Sequence, residues 1–170
     1  NAIYRLEELN DKPNEELSFH KVMSAIFSVV HEISVLEKRG VSKEEIKEMM
    51  AIPYKIIGQS PFFKHAQIWP RGYQGDFEMI ERIISGKNEV EEGTMGYYIE
   101  KYILQGPAPQ QHRNKVAYQA RRILDTVHTN KTSKCRILSI ACGSSPDFRL
   151  VKKYIDPKNV EIVLLDSDTD

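Results

Sequence analysis

The stretch Cys135-Arg136-Ile137-Leu138-Ser139-Ile140-Ala141-Cys142-Gly143-Ser144-Ser145-Pro146, followed by Val160-Glu161-Ile162-Val163-Leu164-Leu165-Asp166, decides the fold. Residues 135–140 read as a β-strand, Ala141 to Ser145 as a tight turn of small residues, and Pro146 to Ile155 as a helix, since proline is preorganised for the first helical position. Asp156-Pro157-Lys158-Asn159 then turns the chain into a second strand. About 30 residues from strand to strand is the length of one βαβ unit. The second strand is almost continuously apolar, the pattern of a parallel strand covered on both faces. Two strands cannot supply that cover alone, so the sequence predicts an α/β sheet whose other strands lie outside these 170 residues.

Upstream, the pattern is helical. Leu17, Phe19, Val22, Met23, Ile26, Val29, Val30, Ile33 and Leu36 follow a period near 3.6 and predict one amphipathic helix over 14–38, ended by Gly40. Ser42 and Glu45 make a capping box for a shorter helix that Pro53 is expected to stop. Residues 58–76 read as a long loop, with Phe62, Phe63 and Trp69 among its aromatics and Pro70-Arg71-Gly72-Tyr73-Gln74-Gly75-Asp76 at its end. Asp76 is expected to cap a helix closed by Gly86, and two more helices are expected over 94–105 and from about residue 110 to 128. The expected organisation is a helical region over 1–130, including the loop 60–76, followed by the start of an α/β domain over 131–170. Asn1-Ala2 reads as a cloning scar or an internal start.

Composition narrows the function classes. The chain is 41% hydrophobic and 28% charged, with 24 basic and 24 acidic residues, so no global charge draws it to nucleic acid or to an anionic membrane. The apolar run Val22 to Val30 is flanked by Lys21 and by His31-Glu32, too short for a membrane span. Cys135 and Cys142 stand at opposite ends of a strand, roughly 23 Å apart at 3.3 Å per residue, and are expected as free thiols suited to a cytoplasm. His20, His31, His65, His112 and His128 show no metal-ligand spacing.

The strand-turn-helix with Asp166 at the tip of the next strand is a nucleotide-site arrangement. A small-residue turn lets the backbone approach a ligand, and a strand-tip carboxylate accepts hydrogen bonds from ribose hydroxyls. Gly143 and Asp166 are 23 positions apart, near the expected 20 or so. The turn has a single glycine, and Pro146 removes a helix N-terminal donor that a pyrophosphate would use, so a cofactor without phosphates is favoured over a dinucleotide. Asp168, past the strand tip, reads as a solvated loop residue.

These residues resemble motif I and the following acidic strand end of class I S-adenosylmethionine-dependent methyltransferases, whose motif runs apolar-Leu-Asp-apolar-Gly-Cys-Gly-Ser/Thr-Gly. Ile137, Leu138, Ile140, Cys142, Gly143 and Ser144 match it, while Ser139, Ala141 and Ser145 replace Asp, Gly and Gly. The segment Pro70 to Asp76 is similar to a Pro-Arg-Gly-Tyr-x-Gly-Asp segment in a subgroup that includes proteins of 3-hydroxypalmitic acid methyl ester biosynthesis. Together the two resemblances cover about Phe62 to Asp168. They imply a Rossmann-like fold, S-adenosylmethionine held by Ala141, Cys142, Gly143, Ser144 and Asp166, and Arg71 and Tyr73 in the cover over cofactor or substrate. They also imply methyl transfer to a small molecule, the carboxylate of an acyl substrate; from the charge balance and histidine spacing no nucleic acid and no metal are expected, and homo-oligomerisation stays open.

Two alternatives stand beside this. Gly72 and Gly75 can serve only to permit positive φ, with Asp76 as a cap and Tyr73 packed beneath the loop. The whole chain can be a non-catalytic helical interaction module on a degenerate nucleotide fold, if Ser139 and Ala141 abolish cofactor binding. A nucleotide-dependent oxidoreductase is disfavoured by Pro146.

Overall fold

The computed structural model describes residues 1–130 and 134–168. In chain order its helices are α1 (Ala2–Asn10), α2 (Phe19–Lys38), α3 (Lys43–Met49), α4 (Ala51–Ile57), α5 (Pro61–Ile68), α6 (Phe77–Ser85), α7 (Met95–Gln105), α8 (Pro107–Thr129) and α9 (Pro146–Val151), with strands β1 (Cys135–Ile140) and β2 (Val160–Leu165). The fold is mostly helical with one small parallel sheet. Two compact units divide it: Asn1–Gln74 with Gly86–Gly106, and Gly75–Ser85 with Pro107–Asp170. The boundary read at residue 130 separates helices from strands; packing instead groups α6 and α8 with the sheet. Residues 131–133, the expected start of the α/β domain, lie outside the described residues.

The first unit is built around α2. Its N-terminus comes later than the hydrophobic period suggests: Asn14–Glu16 forms a separate 3-10 turn, and Ser18 caps α2 by accepting from the Lys21 N–H at 3.4 Å. Val22, Met23 and Val29 of α2 join Leu6 and Leu9 of α1, Ile56 of α4 and Met95 and Ile99 of α7 in a buried core. Among the described residues α2 alone is long and apolar enough to cross a membrane by length and composition. Its packing against α1 and α7 makes it the core helix of this unit. The capping box forms as expected: the Glu45 N–H donates to Ser42 Oγ at 3.2 Å and the Ser42 N–H to Glu45 Oε2 at 3.1 Å.

Two expectations are corrected here. Pro53 does not stop a helix; α3 ends at Met49 with Met50 as its C-cap, and Pro53 is buried in the first turn of α4, where a missing N–H has no intrahelical partner to lose. Residues 58–76 are not one loop. Ser60 accepts from the Phe63 N–H at 3.2 Å, Pro61 takes the first helical position, and α5 runs to Ile68 before Trp69 ends it in a left-handed conformation. The Ser-Pro pair is itself a helix-start signal. Phe62 is accordingly buried and meets Phe63 edge to face at 5.9 Å between centroids.

In this unit Glu100 of α7 is 2% exposed and accepts from Ser60 Oγ and from the Phe62 N–H at 3.0 Å, tying α7 to the start of α5. Close approach at Gly96 has a steric requirement. A Cβ there would stand 2.7 Å from the Gln59 carbonyl oxygen.

In the second unit α8 carries α6 and α9. It begins at Pro107, three residues before the sequence-based start, because Pro107 occupies a first-turn position instead of acting only as a stop for α7. Arg113 Nη1 donates to the Ile83 carbonyl at 3.0 Å, fixing α8 to α6. Ile83, Val116, Ala120, Cys135, Phe148, Val151 and Val160 are buried. The helix expected over 146–155 is α9 followed by a 3-10 turn at Lys152–Tyr154.

β1 and β2 pair in parallel, Cys135 opposite Val160 through Ile140 opposite Leu165. Side chains alternate across the pleat, so Cys135 and Val160 share one face, covered at that end but exposed further along at Ile162 and Leu164, while Leu138, Ile140, Val163 and Leu165 share the other. These four are 58%, 72%, 44% and 51% exposed, beside the Arg136–Glu161 ion pair at 3.2 Å. Cover on both faces of β2, expected from its apolar run, is not supplied among the described residues. Cys135 and Cys142 are free thiols, as expected.

Candidate cofactor-binding turn

The turn between β1 and α9 has an alternating backbone. Ala141, Gly143 and Ser145 adopt φ of 55°, 49° and 49°, the left-handed region, at alternate positions. Glycine enters this region freely, whereas alanine and serine do so at a cost of roughly 1–2 kcal/mol each. The Ser145 N–H closes the turn on the Cys142 carbonyl at 2.9 Å, and the Cys142 N–H donates to the Leu165 carbonyl at 3.3 Å. Gly143 also needs its missing side chain, because a Cβ would stand 3.1 Å from the Cβ of Phe77.

Asp166 follows β2 and reaches this turn. Its Oδ2 accepts from the Gly143 N–H at 2.6 Å and its Oδ1 from the Asp168 N–H at 2.9 Å. Those two backbone donors, that of Asp168 first, hold its carboxyl below the ordinary range. Asp168 thus contributes its backbone to the site.

Two residues that sequence reasoning missed support the turn. Phe77 and Glu81 lie one turn apart on α6, Phe77 beneath Gly143 and Glu81 accepting from both Ser144 Oγ and Arg149 Nη2. The spacing of four puts them on one helix face, but nothing local in the sequence says which turn that face meets. Asp76 caps α6 as expected, accepting from the Met79 N–H at 3.0 Å, and is buried. Ser145 is also buried, and its hydroxyl has no hydrogen-bond partner among the described residues.

The structure therefore brings together Ala141, Cys142, Gly143, Ser144 and Asp166 of the expected site. Arg71, half-buried, and Tyr73, exposed, belong to the first unit, as does Gly72 at φ of 82°, whereas Gly75, at φ of 71°, opens the second. Chemically, the turn offers two exposed residues, Ala141 and Gly143, and an acceptor-only carboxylate suited to hydroxyl donors. It offers a poor phosphate site, since Pro146 has no N–H and Asp147 adds a negative charge in the same helical turn. No group of three metal-ligating side chains occurs among the described residues.

Comparison with protein-family models, with curated proteins and with solved structures returns no significant match.

Proposed function

We propose that this chain carries the cofactor-binding start of a Rossmann-like, S-adenosylmethionine-dependent methyltransferase. The observation that carries the proposal is the turn itself: left-handed residues at 141, 143 and 145, the three glycine positions of the motif it resembles, with the Asp166 carboxylate 2.6 Å from the Gly143 N–H. A backbone that keeps a glycine-type path through Ala141 and Ser145, despite its cost, is more than a generic strand-to-helix connection requires. In this reading Ala141 to Ser144 pass close to the cofactor and Asp166 accepts from its ribose hydroxyls. Arg71 and Tyr73 are not needed for it.

Methyl transfer from a sulfonium is an in-line displacement, so alignment and exclusion of water do most of the work. An acceptor that is already a carboxylate needs no base, and the carboxylate of an acyl substrate is proposed as that acceptor. Calorimetric titration of the protein with S-adenosylmethionine and NAD in parallel tests the cofactor. Heat with NAD alone, or with neither, overturns the reading. A screen with labelled cofactor against fatty acids, amines, catechols and RNA tests the acceptor; label in amine or RNA products alone removes the acyl carboxylate.

The second reading, a degenerate nucleotide fold that binds no cofactor, is favoured by one observation. Both Asp166 oxygens already accept from backbone N–H groups of the same unit. Absence of any heat of binding with an otherwise folded protein is its signature.

A further inference from the structure

We propose that Glu81 is a positioning residue for the turn 141–145, acting through Ser144 and Arg149. What the turn holds rests on the methyltransferase reading; the clamp itself does not. A single oxygen, Glu81 Oε1, accepts from Ser144 Oγ in the middle of the turn and from Arg149 Nη2 on α9. Ser144 stands between two left-handed residues, Gly143 and Ser145. Such backbone persists only where its surroundings over-determine it.

The turn is pinned from two sides. On the strand side Asp166 takes the Gly143 N–H; on the helix side Glu81 takes the Ser144 hydroxyl. α6 is a firm base for that second anchor, because Asp76 caps its first turn and Arg113 of α8 holds the Ile83 carbonyl. Phe77, one helical turn before Glu81, leaves little room at residue 143, where a Cβ would stand 3.1 Å from its own Cβ. Rigidity thus passes from α8 through α6 to the turn, the one segment among the unit's described residues where non-glycine backbone is left-handed.

The competing account is an ordinary surface ion pair. The side chains of Glu81 and Arg149 are 34% and 49% exposed, and pairs at that exposure contribute little to global stability. The two accounts differ in where an effect is felt. A positioning residue alters the turn, while a surface pair alters nothing or everything slightly.

Amide hydrogen exchange on the isotope-labelled protein without ligand reads this directly. In Glu81→Ala, exchange at Gly143 and Ser145 is expected to accelerate by about tenfold, the loss of one charge-assisted hydrogen bond at its weak end, with α8 amides unchanged. Glu81→Gln, which keeps an acceptor, recovers part of the protection. Should Glu81→Ala fail to fold, Ser144→Ala removes only the central leg and is expected to loosen the same amides. Unchanged exchange in the turn, or acceleration spread evenly through α8 and β1, overturns the proposal. S-adenosylmethionine titrated into wild type and Glu81→Ala, or Ser144→Ala if Glu81→Ala does not fold, separates the two questions. A wild type that takes up none sinks the cofactor reading while the exchange data still decide Glu81, and equal affinity in both proteins overturns the role of Glu81 in binding.

Discussion

The Asp166 carboxylate lies 2.6 Å from the Gly143 N–H, across 23 residues of chain, so the tip of β2 and the turn after β1 are one hydrogen-bonded unit. The same carboxylate is the group expected to meet ribose hydroxyls. Asp166→Ala is therefore predicted to weaken S-adenosylmethionine binding by about 1.5–3 kcal/mol, the range of a hydrogen bond to a charged group. Calorimetry on both proteins measures it; equal affinities remove Asp166 from the site.

The closure of the turn by Asp166 is also predicted to depend on pH. Backbone donors at Asp168 and Gly143 hold its carboxyl below the ordinary value, about 3.9. A group depressed on folding contributes its stabilisation above that ordinary value and loses it as pH falls through the lowered folded one. The Gly143 amide resonance is expected to be constant from neutral pH to about 5 and to move only below about 4, where protonation weakens the acceptor. A midpoint near neutrality would contradict the contact.

Backbone strain in the turn gives a prediction that runs against the usual effect of glycine. Ala141→Gly relieves a left-handed alanine and is expected to stabilise by about 0.5–1 kcal/mol after the entropy glycine adds to the unfolded chain. Ser145→Gly is expected to gain more, because it also removes a buried hydroxyl without a partner. Gly143→Ala combines positive φ with the 3.1 Å approach to Phe77 and is expected to lose about 2 kcal/mol or more. Denaturant midpoints for the three variants give the order; a stabilised Gly143→Ala would show that the turn follows another path.

How far the sequence spoke depends on whether the signal was local. The capping box of Ser42 and Glu45, the Asp76 cap and both strands were legible because each rests on residues within a few positions of one another. The helix α5 was hidden by its aromatics and flanking glycines, although Ser60-Pro61 announced it. Glu81 was not legible at all. Its partners Ser144 and Arg149 are more than 60 residues away, and a carboxylate on an amphipathic helix looks like any solvated side chain until the packing of α6 on α8 aims it. The burial of Glu100 was missed for the same reason.

Glu100 leads to a prediction confined to the first unit. It accepts from Ser60 Oγ and the Phe62 N–H, so Glu100→Leu leaves two donors unpaired near the core, one of them at the start of α5. Loss of about 1–3 kcal/mol is expected, with amide protection falling first across α5. Glu100→Gln, which keeps one acceptor oxygen, should fall between the two. A fully stable Glu100→Leu would mean that water or relaxation of α5 satisfies both donors.

The open face of the sheet carries the last prediction. Leu138 and Ile140 of β1 lie opposite Val163 and Leu165 of β2, and all four are exposed on the face away from Cys135 and Val160. Contiguous apolar side chains on a short parallel sheet are a surface that water disfavours and other apolar surfaces seek. The protein is therefore expected to bind a hydrophobic dye such as ANS and to sediment with a concentration-dependent mass. The double substitution Ile140→Lys and Val163→Lys should reduce both, since it places charge on the two strands without touching the buried pair at their starts. Far-UV circular dichroism of the variant checks that the helices persist. If dye binding is absent in the parent, the face is covered by some arrangement of this chain other than the one described, and the placement of β2 at an open sheet would be wrong.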